Sequence, residues 1–158
     1  MAADAPQRLL GLWRHLAPLP GGRWFFSRLL RANVPYSGSI GARVEVLEPG
    51  HARLSLADRR AVRNHLRSVH AVALVNLGEL TSGLAMTTAL PPGIRSIVTH
   101  IETEFVKKAR GTLTAECRAT PPQAVPAPVD QVVEAVIVDQ GNDVVARVRV
   151  RWRLAPPA

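Results

Sequence analysis

Asn64, His70, Ala71 and Glu79 have residue types and a spacing that would suit an active site. The segment 69–90 is rich in helix-forming apolar residues and is long enough for about six helical turns. Backbone N–H groups in the first turn of such a helix have no intrahelical acceptor, and the positive end of the dipole points outward. With His70 and Ala71 in that turn, the helix start would stabilise an oxyanion. Glu79 lies in the middle of the helix, where a carboxylate has to be neutralised, paired with a cation or used in chemistry.

The spacing of His70 and Glu79 prevents one helix from bringing them together. They are nine residues apart, and about 100° per residue places them roughly half a turn apart, on opposite faces. Two such helices packed side by side in a symmetric dimer would place Glu79 of one chain near the helix start of the other. We therefore expect a homodimer or a dimer of dimers.

The elements that must position these residues follow from hydrophobic periodicity. The helix 69–90 is apolar on every side of the helical wheel, so it must be covered all round, and its polar interruptions argue against a bilayer span. A hairpin at 39–57 precedes the helix. Four strand segments follow it, at 97–105, 112–119, 132–138 and 144–154. Because the last strand alternates apolar residues with arginines, its sheet needs one buried and one solvated face. The order predicts an α+β fold, with a curved antiparallel sheet wrapped around the central helix.

The remaining features concern the ends of the chain and its charge. Residues 6–32 read as two short helices, giving a predicted N-terminal helical arm at 1–35 and a main domain at 36–158. Packing of the arm on the domain is favoured over the alternative, an arginine-rich arm lying on an anionic membrane. The net charge of +8 attracts polyanions without choosing among them. One cysteine excludes an intrachain disulfide and a cysteine-rich zinc site, and no secretory signal is recognised, so we expect a cytoplasmic protein.

The pattern Asn64, five residues, His70-Ala71, seven residues, Glu79, set before a long helix and four strands, resembles the hot-dog-fold acyl-CoA thioesterases. The resemblance is to the branch of the phenylacetate-degradation and 4-hydroxybenzoyl-CoA thioesterases, and it covers residues 39–154. It implies a thioester hydrolase in which Glu79 activates water and the Ala71 N–H holds the oxyanion, at a dimer interface. Alanine stands at position 71 where that family usually has glycine.

The same resemblance implies roles for the residues around this centre. Asn64 would position the water or the substrate, His70 would orient the thioester, and Ser82 is a candidate to assist the carboxylate. Basic residues in the turn after the third strand would contact the phosphates of CoA; these are Lys107, Lys108 and Arg110. CoA enters as part of the substrate, and neither a separate cofactor nor a metal is expected.

The sequence is also compatible with structural and functional alternatives. Glu79 would also fit an ion pair across a dimer seam, Asn64 a loop bonded to its own backbone, and Ser68 the N-cap of the helix. The basic turn would equally suit an exposed hairpin. The alternative function is a non-catalytic acyl-CoA-binding protein. A third hypothesis uses the arginine faces to bind nucleic acid or membrane, but nucleic acid is not expected because the arginine strand lacks interleaved aromatic residues.

Overall fold

The computed structural model describes residues 5–157 as a long helix wrapped by one curved antiparallel sheet, which is the predicted α+β hot-dog architecture. The helices are α1 (Ala5–Leu16), α2 (Gly22–Asn33), α3 (Pro35–Gly38) and α4 (Ala71–Ala89), with a 3-10 turn at Arg60–Val62. The strands are β1 (Arg43–Glu48), β2 (His51–Leu56), β3 (Arg95–Phe105), β4 (Leu113–Arg118), β5 (Val129–Val138) and β6 (Val144–Ala155). Residues 1–4 and 158, which the predicted arm and domain include, lie outside the described residues.

The sheet has the order β1-β2-β4-β5-β6-β3, and all neighbouring strands are antiparallel. The alternation predicted for the last strand is confirmed, because Val148, Val150 and Leu154 are fully buried while the arginines between them face outward. Acidic side chains on neighbouring strands pair with this arginine row. Glu134 of β5 contacts Arg147 at 3.2 Å and Arg149 at 2.9 Å, for example. Much of the positive charge on the outer face is therefore locally balanced.

Helix α4 packs closely against the concave face of the sheet. Leu77, Ala85 and Met86 are fully buried. Gly78 faces β6 so closely that a Cβ there would overlap the side chain of Val148. On its other side, Val72 is 53% exposed and Val75 is half-buried. One stripe of this apolar helix therefore remains uncovered in the single chain.

Strand β3 forms one edge of the sheet and presents apolar side chains to solvent. It pairs with β6 on one side only. The sequence predicts that side chains of residues 97–105 alternate regularly between the two faces of the sheet. This prediction is wrong at the start of the strand, because an irregularity between Val98 and His100 shifts the register. Ile97 consequently lies opposite Arg153 on the outer face and is 64% exposed, whereas Ile101 lies opposite Val150 on the inner face.

Helices α1 and α2 pack against each other and against β1. The rings of Trp13 and Phe26 are both buried and meet edge to face, with centroids 5.0 Å apart. Ser27 of α2 accepts a hydrogen bond from the Val44 N–H of β1 at 3.0 Å. By contrast, Trp24 stays 56% exposed on the outer side of α2. Within residues 5–157 no helix combines the length and apolarity needed to cross a bilayer.

Candidate functional site

The start of α4 is capped by a histidine side chain. His70 has extended backbone angles, and its Nδ1 accepts a hydrogen bond from the Val72 N–H at 3.1 Å. The prediction that His70 lies in the first turn is therefore wrong by one position. His70 is the N-cap residue, and the first turn begins at Ala71. The Ser68 alternative for the cap is also wrong, since the Ser68 hydroxyl donates to Asn64 Oδ1 instead. With Nδ1 acting as the acceptor, the proton of a neutral His70 ring lies on Nε2.

The backbone N–H of Ala71 is the free donor at this helix start. Within residues 5–157 it has no hydrogen-bond acceptor, whereas the Ala73 N–H donates to the carbonyl of His70 at 2.9 Å. Ala71 is exposed at the positive end of α4. The N–H is therefore available to an oxygen that develops negative charge.

Glu79 is a half-buried carboxylate in the uncovered stripe of α4. Its Oε2 accepts a hydrogen bond from the Ser37 hydroxyl of α3 at 3.5 Å. Burial raises the pKa of Glu79, and the Ser37 hydrogen bond partly opposes that rise. The carboxylate opens on a cavity of about 320 Å³. Its other lining residues are Tyr36, Ser37, Val72, Val75, Asn76, Val98 and Ile101.

A second cavity of about 300 Å³ lies at the start of α4 and includes His70. The two cavities share Tyr36, Val72 and Asn76, so they adjoin along one side of the helix. No hydrogen bond joins Glu79 to His70 within the residues that the structure describes. One chain thus places the carboxylate and the helix start in adjoining cavities without bringing them into contact.

Two of the predicted site residues use their side chains in local hydrogen bonds. Asn64 Oδ1 accepts hydrogen bonds from the Leu66 N–H, the Ser68 N–H and the Ser68 hydroxyl, so only its amide N–H groups remain for a substrate. Ser82 is fully buried and donates to the backbone carbonyl of Glu79 at 2.8 Å. Its hydroxyl is therefore directed to the backbone, and Ser37 is the serine that contacts the Glu79 carboxylate.

The predicted basic turn lies beside the start of α4. The carbonyl of Ala109 accepts a hydrogen bond from the Val69 N–H at 2.8 Å, which ties the turn to the residue before the cap. Lys107 is held by Asp139 and Asp143, each at 2.7 Å. Lys108 and Arg110 are exposed and form no ion pair within the described part of the chain. These two cations are available to a ligand, whereas Lys107 already has two acidic partners.

Sequence reasoning missed the contribution of α3. Tyr36 and Ser37 belong to a four-residue helix, and their position against α4 depends on how the arm folds back. The Tyr36 carbonyl accepts from Asn76 Nδ2 at 3.4 Å, and Ser37 contacts Glu79. No local sequence signal indicates such a contact, because 42 residues separate Ser37 from Glu79.

Other reactive groups are less suited to chemistry. Burial raises the pKa of the Cys117 thiol to about 12, so the thiolate nucleophile is strongly disfavoured. Among residues 5–157, no three potential metal-binding side chains lie close enough together to hold an ion.

Comparison with known proteins gives one family match and several similar folds. The family model described as "Domain of unknown function (DUF4442)" matches residues 22–154. No protein with a curated description matches the chain. A structural-genomics crystal structure is 27% identical, with a TM-score of 0.80 over 96% of this chain and 98% of that one.

Two further solved structures have names that mention an activity or a bound ligand. A Pseudomonas aeruginosa protein of unknown function, named a probable thioesterase, is 26% identical, with a TM-score of 0.75 over 87% of this chain and 97% of its own. A Streptococcus mutans protein bound to acetyl CoA is 17% identical, with a TM-score of 0.62 over 74% of this chain and 91% of its own. At that identity, the second likeness shows the fold alone.

Proposed function

This chain belongs to the DUF4442 family, and from its hot-dog fold and the site around α4 we propose that it hydrolyses acyl-CoA thioesters. The observation that carries the proposal is Glu79, a half-buried carboxylate opening on a largely apolar cavity. Glu79 has no cationic partner within residues 5–157, and an ionisable side chain with a raised pKa that faces a cavity is typical of a functional site. The similarity to the P. aeruginosa protein named a probable thioesterase supports the same reaction class.

The proposed reaction divides the work between Glu79 and the helix start. Glu79 takes a proton from a water molecule as that water attacks the thioester carbonyl carbon. The Ala71 N–H and the His70 Nε2–H donate hydrogen bonds to the carbonyl oxygen as it gains negative charge. The C–S bond then breaks, and the proton passes to the leaving sulfur to give a free thiol and a carboxylic acid. The raised pKa of Glu79 suits this role, because it makes the carboxylate a stronger base.

A homodimer would complete this site. Strand β3 has a free edge, and Ile101 of β3 lines the same cavity as Val72, Val75 and Glu79 of α4. An apolar face next to an unpaired strand edge is suited to pairing with a second copy. A two-fold axis at this edge would set the α4 helices side by side, so that each Glu79 approaches the partner's helix start.

The dimer is tested by placing a charge on this face. We expect Ile101→Glu to convert a dimer to a monomer, because the new carboxylate would be buried against the partner, and we expect turnover to fall with it. Val132→Glu is the matched control, since Val132 is also an exposed apolar strand residue but lies on the outer face of β5. Sedimentation equilibrium measures both variants, and an Ile101→Glu protein that stays dimeric with wild-type turnover contradicts this arrangement.

The acid limb of the pH–rate profile tests the contact between Ser37 and Glu79. The Ser37 hydroxyl stabilises the ionised carboxylate, so Ser37→Ala is expected to raise the pKa of Glu79 further. Because the base works only when deprotonated, the acid limb of kcat should move to higher pH. Ser39→Ala serves as the control, because Ser39 lies in the neighbouring cavity without contacting Glu79. An unshifted profile in Ser37→Ala would argue against Glu79 as the base.

Substrate binding at the basic turn is part of the same proposal. Lys108 and Arg110 flank Ala109, which is hydrogen-bonded to the residue before His70. Phosphate groups of CoA bound near the start of α4 would therefore meet these two cations. Lys107 would act indirectly, by fixing the turn against Asp139 and Asp143.

A screen of acyl-CoA substrates tests the reaction itself. The purified chain is given acyl-CoAs of graded length and polarity while released thiol is measured. We expect saturable thiol release with at least one acyl class. Saturable binding without thiol release by any substrate would instead support the alternative, a non-catalytic acyl-CoA-binding protein. The engagement of Asn64 Oδ1 within its own loop is the observation that favours this alternative.

A further inference from the structure

A second concave surface, here called the arginine basin, lies between α2 and the β1–β2 end of the sheet. It consists of two cavities of about 400 Å³ and 290 Å³ that share Arg28 and Arg31. Trp24 and Arg43 complete the charged and aromatic part of the smaller one. None of these four residues contacts Glu79 or caps α4, so the site described above does not explain the basin.

The basin has an excess of positive charge. Residues 5–44 include no aspartate or glutamate. Arg28 and Arg31 have no acidic partner within residues 5–157, while Arg43 pairs with Glu45 at 3.5 Å. The guanidinium of Arg28 lies 5.2 Å from the centroid of the Trp24 ring. A half-exposed indole beside unpaired guanidinium groups suits a ligand with both phosphates and a flat aromatic group, because arginine binds phosphate through paired N–H donors and the indole stacks.

The basin is connected to the cavity at the start of α4. The larger basin cavity and the His70 cavity share Ser39. The backbone between them is held by Arg59, whose Nη2 donates to the carbonyl of Ile40 at 2.6 Å. Gly41, with φ of 70°, leaves the space in which this guanidinium lies. The Glu79 cavity, the His70 cavity and the arginine basin therefore adjoin one another in that order through shared lining residues.

The segment after the basic turn lines part of the basin. Thr112, two residues after Arg110, lines the smaller basin cavity together with Ser55. The Gly111 N–H donates to Asp58 at 3.0 Å, and Asp58 also pairs with Arg63, so this carboxylate already has two partners. The segment that follows the basic turn thus contributes Thr112 to the wall of the basin.

We propose that the arginine basin binds the 3′-phosphorylated ADP end of the acyl-CoA, with Trp24 against the adenine and with Arg28 and Arg31 on the phosphates in addition to the basic-turn cations Lys108 and Arg110. The inference rests on the proposed function for the identity of the ligand and assigns the N-terminal arm a role in substrate binding. The thioester lies at the helix start, and the pantetheine arm passes Ser39, where the His70 cavity adjoins the basin. Arg28, Arg31 and Trp24 are specificity residues, and they touch no reacting atom.

The experiment uses the full chain and adenosine 3′,5′-bisphosphate, with binding followed by calorimetry and tryptophan fluorescence. We expect Arg28→Ala/Arg31→Ala to weaken binding about tenfold or more, since each lost charge-assisted hydrogen bond contributes on that scale. Arg28→Ala alone is measured as well, because Arg31 Nε also donates to the carbonyl of Gly38 at 3.1 Å and its loss could disturb α3. Arg28→Lys should retain only part of the affinity, because it keeps the charge but loses the paired N–H donors. Arg14→Ala, which removes an exposed arginine of α1 outside the basin, should bind as the wild type does.

Kinetics separate this role from a structural one. The KM for acyl-CoA should rise by the same factor with little change in kcat. Hydrolysis of the corresponding N-acetylcysteamine thioester, which lacks the nucleotide, should be unaffected.

Equal loss of activity with both substrates overturns the inference, as does a wild-type chain that does not bind the bisphosphate. Arginine-dependent binding to anionic lipid vesicles without bisphosphate binding overturns it in favour of a membrane surface. Bisphosphate binding that depends on Arg28, in a chain that releases no thiol, leaves the inference standing while the proposed hydrolysis fails.

Discussion

Glu79→Gln is expected to reduce acyl-CoA turnover by about 10²–10⁴-fold, the contribution typical of a positioned general base. Glutamine keeps the size of the side chain and the contact with Ser37 but cannot accept the proton from water. Substrate binding should be largely retained, because Glu79 lies on α4 while the proposed cationic contacts lie on α2 and the basic turn. Single-turnover thiol release and calorimetric binding of a non-hydrolysable acyl-CoA analogue measure the two effects separately.

Stability provides the control for this substitution. Because burial raises the pKa of Glu79, the folded chain holds this proton to a higher pH than the unfolded chain does. Unfolding free energy therefore falls as pH rises from the unfolded pKa through the folded pKa, and above that window the ionised side chain destabilises the fold. Glu79→Gln should be at least as stable as the wild type at neutral pH and should lose this pH dependence. An inactive variant that is also clearly destabilised would point to a structural role for Glu79, and wild-type turnover would exclude it as the base.

Gly78→Ala is expected to destabilise the fold by about 1–3 kcal/mol, the usual range for overpacking a core. Two effects oppose each other. Alanine is favoured over glycine inside a helix by about 1 kcal/mol. However, its Cβ would overlap the branched side chain of Val148, which is fully buried in β6 and cannot move away without disturbing the sheet. The clash should exceed the gain in helix propensity, because α4 is enclosed by the sheet at this point.

Gly11→Ala is the matched control for this prediction. Gly11 lies inside α1, and a Cβ there has no atom within 4 Å. The same substitution should therefore stabilise the chain by up to about 1 kcal/mol, since only the helix propensity changes. Urea unfolding of both variants gives the two free energies, and equal effects in Gly78→Ala and Gly11→Ala would mean that α4 does not approach β6 as closely as described.

The likeness to solved structures and the site geometry support the proposal in different ways. The fold matches at high coverage, but folds of one kind host many functions, so the reaction has to be argued from particular side chains. Glu79 and the free Ala71 N–H carry that argument, whereas Asn64 and Ser82 are engaged with the backbone or with their own loop. The proposed chemistry thus depends on fewer groups than the sequence pattern suggested.

The sequence by itself determined the architecture. The alternation in β6 and the apolar surface around α4 are local patterns, and each requires a burial geometry that few folds satisfy. It also located Glu79 in the middle of α4, because the position along a helix depends only on residue number. The prediction that His70 and Glu79 project to opposite faces assumed a helical His70, whereas His70 is the extended N-cap and its cavity adjoins that of Glu79.

Only the tertiary structure decided which groups meet. Ser37 reaches Glu79 across 42 positions of chain, Asp139 and Asp143 hold Lys107, and the register shift in β3 moves Ile97 to the outer face. Such contacts depend on how separate elements are placed relative to one another, and the packing of the whole domain sets that placement. The same packing places Arg28 and Arg31 of the arm in a cavity that adjoins the one at the start of α4, an arrangement that no local periodicity encodes.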